Sequence, residues 1–166
     1  MDESVGLANI FIKSLLSPLM DHKKFMRLAI DKGREGKIPF AACIIKNNKV
    51  LACEYSSVFP NNDPTAHGEI QAIRAACRKI KKPDLGGAII YTTCHPCAMC
   101  AMACYWGGIN RIVYGTTLKD SMDNGWPDFD RTGKLSERTV GNRIKWKGGV
   151  MRKECLKLFK DYPLKK

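Results

Sequence analysis

Tyr91-Thr92-Thr93-Cys94-His95-Pro96-Cys97-Ala98-Met99-Cys100 is the stretch from which the rest of the sequence is read. A β-prone run, Gly87 to Thr93, stops at a proline, and a Cys-x-x-Cys pair follows at the start of a predicted helix. Cysteines three apart on a first helical turn point their sulfurs the same way, so one metal ion can take both. Two thiolates leave a tetrahedral zinc site unfinished. The third candidate ligand is His67, in Pro64-Thr65-Ala66-His67-Gly68-Glu69 upstream. His67, Cys97 and Cys100 together leave one position open for water, and Glu69 stands beside them as a carboxylate that is not a ligand.

Other readings of the same residues are weaker. Cys94, Cys97, Cys100 and Cys104 match the spacing of a bacterial iron–sulfur run. That run normally ends in proline, whereas Tyr105 follows here, and the intervening Ala98, Met99, Ala101, Met102 and Ala103 are helix formers rather than loop residues. A purely structural zinc would leave Glu69 unexplained. Glu69 taken alone is an ordinary first-turn glutamate that complements the helix dipole. Beside His67 and opposite Pro-Cys-x-x-Cys, it completes the His-x-Glu…Pro-Cys-x-x-Cys signature of the zinc deaminases of nucleobases.

The composition is that of one domain, 1–166, able to bury its own core: 166 residues, 45% of them hydrophobic. Residues 1–19 carry a helical stripe (Leu7, Ile10, Phe11, Leu15, Leu16) and read as an N-terminal helical extension. The start of the chain is acidic and no apolar run approaches membrane-spanning length. Cys43, Cys53 and Cys77 sit in apolar or helical settings and read as buried thiols, so the expectation is a reduced, cytoplasmic protein. The net charge of +12 suits nucleic acid or phosphorylated ligands, and equally a soluble lysine-rich surface.

Along the chain, a helix is predicted from Asp21 to about Arg34, ended by Gly33 and Gly36. Strands Phe40–Ile45 and Val50–Tyr55 flank Asn47-Asn48, a hairpin turn. After the loop Ser56–Asp63, a helix is expected to start at Pro64 and run to about Lys82, with Ile70, Ile73, Cys77 and Ile80 inward. Strand Ala88–Thr92, the cysteine helix to Tyr105 and strand Arg111–Tyr114 follow. Thr116–Lys134 reads as loop, with a short strand near Arg143–Trp146 and a last helix over Met151–Tyr162. A hairpin followed by strand–helix repeats argues for a three-layer α/β/α domain around a mixed sheet.

From about Asp21 to Asp130 the chain resembles the cytidine-deaminase-like superfamily, most closely its bacterial guanine deaminases. The shared residues are Pro39-Phe40, Asp63-Pro64-Thr65-Ala66-His67, Ala72-Ile73-Arg74, Ala76-Cys77, Tyr91-Thr92, Tyr105-Trp106 and Gly125-Trp126-x-Asp128. The resemblance implies a five-stranded mixed sheet, a zinc ion, a homodimer, and hydrolysis of guanine to xanthine and ammonia. It also implies a base stacked between Phe40 and Trp106, with Asp128 on the amine-bearing edge and Ser56 and Gly68 lining the substrate site. Trp106 reads equally well as a core residue. Ser56 stands where these enzymes usually have asparagine, His95 where guanine deaminases have glutamate, and Gly68 where alanine is common. A tRNA adenosine deaminase is the second reading, favoured by the Arg143–Lys166 segment with its nine basic and two acidic side chains. Cytosine and other aminated rings are further substrates, and an RNA-binding protein with a vestigial zinc site is the non-enzymatic alternative. An intact Glu69 argues against a vestigial site.

Overall fold

The structure, a computed structural model, describes residues 21–164. The expected N-terminal extension lies outside the described residues. Helix α1 (His22–Gly36) opens on Asp21, whose carboxylate accepts the Lys24 N–H at 3.0 Å. Gly33 and Gly36 do not end it. They lie within it, and Lys37 terminates the helix in the left-handed conformation (φ 51°). Close packing is their role: a Cβ on Gly36 would stand 2.3 Å from the Tyr55 ring.

Strands β1 (Ala41–Lys46) and β2 (Lys49–Tyr55) pair antiparallel through Asn47 and Asn48, both at positive φ, as a tight hairpin requires. Cys43 and Cys53 are not free thiols but are bonded to each other. A register irregularity between Ile44 and Ile45 brings Cys53 opposite Cys43, at a Cα separation of 4.0 Å.

Where a loop was expected, a short helix α2 (Val58–Asn61) forms. Helix α3 (Gly68–Ile80) starts later than Pro64. The Asp63 carboxylate accepts from the Thr65 N–H (2.8 Å) and hydroxyl (2.7 Å), so residues 63–66 form a turn and His67 becomes the N-cap. The innermost side chains of α3 are Ala72 and Ala76, and Ile70, Ile73, Cys77 and Ile80 flank them half-buried. Small residues on that line let the helix lie close against the sheet.

Then come β3 (Ile89–Cys94), α4 (Ala98–Trp106), β4 (Arg111–Thr116), α5 (Leu118–Asp123), α6 (Lys134–Val140), β5 (Lys145–Lys147) and α7 (Arg152–Asp161). The sheet runs β2-β1-β3-β4-β5, antiparallel across β1 and parallel from β3 to β5. Alternate side chains divide the core. Ala42, Ile44, Ile90 and Ile112 face α3, α4 and α6, whereas Cys43, Ile45, Tyr91 and Val113 face α1 and α7. This is the expected three-layer α/β/α arrangement around a mixed five-stranded sheet. No helix among the described residues is long and apolar enough to cross a membrane.

The span Thr116–Lys134, read as loop, contains α5. Thr117 and Asp120 form a capping box at its start, and the Arg152 guanidinium reaches the Asp120 carboxylate through both Nε (3.1 Å) and a terminal nitrogen (2.5 Å). Burial alone would raise the Asp120 pKa, but the Thr117 N–H and Arg152 outweigh it and hold the carboxyl below its usual value. Stability from this group is therefore complete above the ordinary carboxylate range and is lost as pH falls through the depressed pKa. We expect Asp120→Ala to cost about 1–2 kcal/mol, read from denaturant unfolding at neutral pH, and the gap to the parent to close in acid.

Candidate active site

The site lies at the carboxyl ends of the parallel strands, where the chain leaves β3 for α4 and β4 for α5. The His95 N–H donates to the Thr116 carbonyl (2.8 Å), fixing the path from β3 into Pro96 and Cys97. Cys97 is the N-cap of α4, and His67 is the N-cap of α3. Neither side chain caps its own helix. Instead they turn towards each other. His67 Nδ1 lies 3.8 Å from Cys97 Sγ and 3.6 Å from Cys100 Sγ, and the three ligand atoms all fall within 4.8 Å of one another.

These distances test the fit of a metal. Zinc–sulfur and zinc–nitrogen bonds of about 2.3 and 2.0 Å at tetrahedral angles require a sulfur-to-nitrogen separation of roughly 3.6 Å. The residues fit zinc, with one position of the tetrahedron left without a protein ligand. The thiol pair is prepared for it. Cys97 is pushed down to about 4, first by the hydrogen bond from Cys100 and then by His67, while Cys100, the buried donor, is pushed well up. A hydrogen bond with Cys97 also raises His67 against the effect of burial.

Glu69 lies on the first turn of α3, is 7% exposed, and falls outside the three-ligand cluster. Burial raises its pKa, with His67 opposing. One carboxylate oxygen meets the Thr92 hydroxyl at 3.0 Å and the other the Cys100 sulfur at 3.5 Å. Thr92 belongs to the residues that carry the resemblance, but sequence reasoning assigns it no role in the site. Its hydroxyl also lies 3.0 Å from the Cys94 carbonyl, so it orients Glu69 from a strand position. The alternation of β3 is the signal that places Thr92 on the same sheet face as α3.

A cavity of about 480 Å³ opens onto this cluster. Phe40, Ser56 and Asp128 line it with His67, Glu69 and Cys97. Gly68 does not line the cavity but lies against β1, where a Cβ would stand 3.0 Å from the Ala41 Cα. Trp106 does not reach the cavity either; it is 77% exposed at the far end of α4. Nine residues of helix from Cys97 carry it about 13 Å away. The second aromatic wall is Trp126, packed edge-on against Phe40 at 4.9 Å. Its indole N–H is buried without a partner among the described residues. Asp128 turns one oxygen to the Asp130 N–H (2.9 Å), so it caps a turn as well as lining the cavity.

Cys94 also lines the cavity, and Cys104 points from α4 into the core. Burial pushes both thiols up, and neither belongs to the ligand cluster. Cys94→Ser and Cys104→Ser are each expected to retain one zinc per chain by elemental analysis, whereas Cys97→Ser is expected to lose it. Loss from either of the first two, or a brown iron-containing protein, contradicts the assignment.

The family model of the cytidine and deoxycytidylate deaminase zinc-binding region matches residues 19–116. The chain is 36% identical over 114 residues to the guanine deaminase of Bacillus subtilis, covering 66% of this chain and 73% of that one. The solved structure of the Bacillus enzyme superposes with a TM-score of 0.63. The present chain is 34% identical over 127 residues to a tRNA-specific adenosine deaminase of Buchnera aphidicola, covering 76% of this chain and 81% of that one. A solved structure from work on A-to-I editing by wobble-position tRNA deaminases gives a TM-score of 0.68 at 29% identity, over 81% of this chain and 98% of the other. The matched region takes in the hairpin, both ligand-bearing helix starts and the strand between them, and the chain belongs to the zinc-dependent cytidine and deoxycytidylate deaminase family.

Proposed function

We propose that this chain hydrolyses a free nucleobase, guanine, to xanthine and ammonia. The observation that carries the reading is Asp128 lining the same cavity as Glu69, Phe40 and Trp126. Guanine presents its ring N1–H and its exocyclic amine side by side, and a carboxylate is acceptor-only. Adenine would offer that carboxylate a ring-nitrogen acceptor beside its amine.

Held by His67, Cys97 and Cys100, zinc supplies Lewis acidity and lowers the pKa of the attacking water. Phe40 and Trp126, packed edge-on against each other, form one apolar wall against which the ring lies, and that wall keeps water from its face. Glu69 takes the first proton of the water and gives it to the ring nitrogen, then takes the second from the new hydroxyl and gives it to the departing amine. The same carboxyl thus acts as base and then as acid in each half of the reaction. Thr92 keeps it aimed: its hydroxyl donates to the carboxylate and can accept once Glu69 carries the proton. Water is consumed and ammonia leaves, with no redox change.

A second reading, deamination of adenosine in tRNA, is supported by the Buchnera relative, which spans more of this chain than the Bacillus one. Asp128 weighs against adenine at this edge. Ammonia release measured with guanine, adenine, cytosine and their nucleosides is the test. Guanine is expected to lead by a wide margin, and a preference for adenine or for any nucleoside removes the free-guanine reading.

A further inference from the structure

A second depression, about 810 Å³ and open, lies between the starts of α1 and α7. Lys23, Lys24, Arg27, Arg152 and Lys153 line it, and Glu154 is its one acidic side chain. Arg27 lies 3.7 Å from Glu154, and Arg152 is engaged with Asp120. Lys23, Lys24 and Lys153 enter no ion pair among the described residues.

This arrangement leaves three ammonium groups of one groove without a carboxylate partner among the described residues, although Asp21 caps α1 and Glu154 stands in the first turn of α7. Cations crowd one groove, and lysines occupy the first turns of two helices, the ends at which the backbone dipole is already positive. Like charges gathered in one groove attract a multivalent anion. Phosphate meets the requirement, with several acceptor oxygens for ammonium groups arriving from two elements.

We propose that this groove binds the phosphate groups of a phosphorylated ligand, at a site separate from the deamination cavity. The inference is independent of which base is deaminated, because it is read by binding alone. Arg152 also braces the capping box of α5, so the lysines alone are the residues to vary.

The experiment is calorimetric titration of the full-length zinc-loaded chain with tripolyphosphate and, in a second arm, with a short single-stranded RNA. Binding of tripolyphosphate at low ionic strength, weakening as salt rises, is the expected result. The Lys23→Ala/Lys24→Ala/Lys153→Ala variant should lose affinity by about tenfold per lysine, and the matching triple arginine variant should keep it. Guanine turnover and melting temperature should be unchanged in both. Binding of RNA without tripolyphosphate still supports the site and identifies its phosphates as those of a nucleic-acid backbone. Failure of both ligands to bind, or equal binding by the triple alanine variant, overturns the proposal.

Discussion

Glu69→Gln should keep its zinc and its melting temperature and lose turnover by ~10²–10⁴-fold, the range that a positioned general acid–base contributes. The amide matches the carboxylate in size and can still pair with the Thr92 hydroxyl, so the packing of a side chain only 7% exposed is preserved. Its chemistry is not. An amide cannot accept a proton from water and return it, and here one group serves both halves of the reaction. The large expected loss follows from that double duty. Measurement of zinc content, thermal unfolding and ammonia release on one preparation separates the possibilities. A near-normal rate would take Glu69 out of the mechanism, and loss of zinc would make it a support of the metal site.

Asp128→Ala should abolish guanine turnover, by on the order of 10⁴-fold in kcat/KM, because buried donors of the substrate would be left unpaired. Since Asp128 also accepts from the Asp130 N–H, alanine removes a turn cap together with the recognition group. Asp128→Asn separates the two roles. Its carbonyl oxygen can still cap the turn, while its NH₂ would meet the guanine donors with another donor. Both variants are expected to fall in guanine turnover with zinc content intact. Efficient deamination of guanine by Asp128→Asn would reduce Asp128 to a structural residue and leave only the deaminase class standing.

The metal cluster was legible in the sequence because its geometry is local on each side. Spacing of three places Cys97 and Cys100 on one face of a helix start, and His67 and Glu69 flank the start of another helix. That the two starts face each other needed only the strand–helix order. The aromatic walls were less legible. Trp106 adjoins the cysteine helix in sequence, yet the rise of that helix carries it away from the cavity. Trp126 reaches the cavity through a connection shaped by the Thr117–Asp120 capping box and by Gly125 at φ 86°. The Thr-x-x-Asp pattern of that box was present to be read, and it marks the helix that loop composition concealed. The Cys43–Cys53 pairing was hidden for a different reason. An unbroken two-residue hairpin through Asn47-Asn48 sets Cys43 opposite Ala52, and only the irregularity between Ile44 and Ile45 moves Cys53 into place.

The most direct test of the account is to strip the metal from the chain, return zinc in increments, and follow xanthine and ammonia from guanine beside inosine in an anticodon stem-loop. The account predicts equal amounts of xanthine and ammonia, rising in proportion to zinc up to one ion per chain, with the RNA unchanged. Zinc-loaded protein that leaves guanine intact and produces inosine in the stem-loop would contradict it.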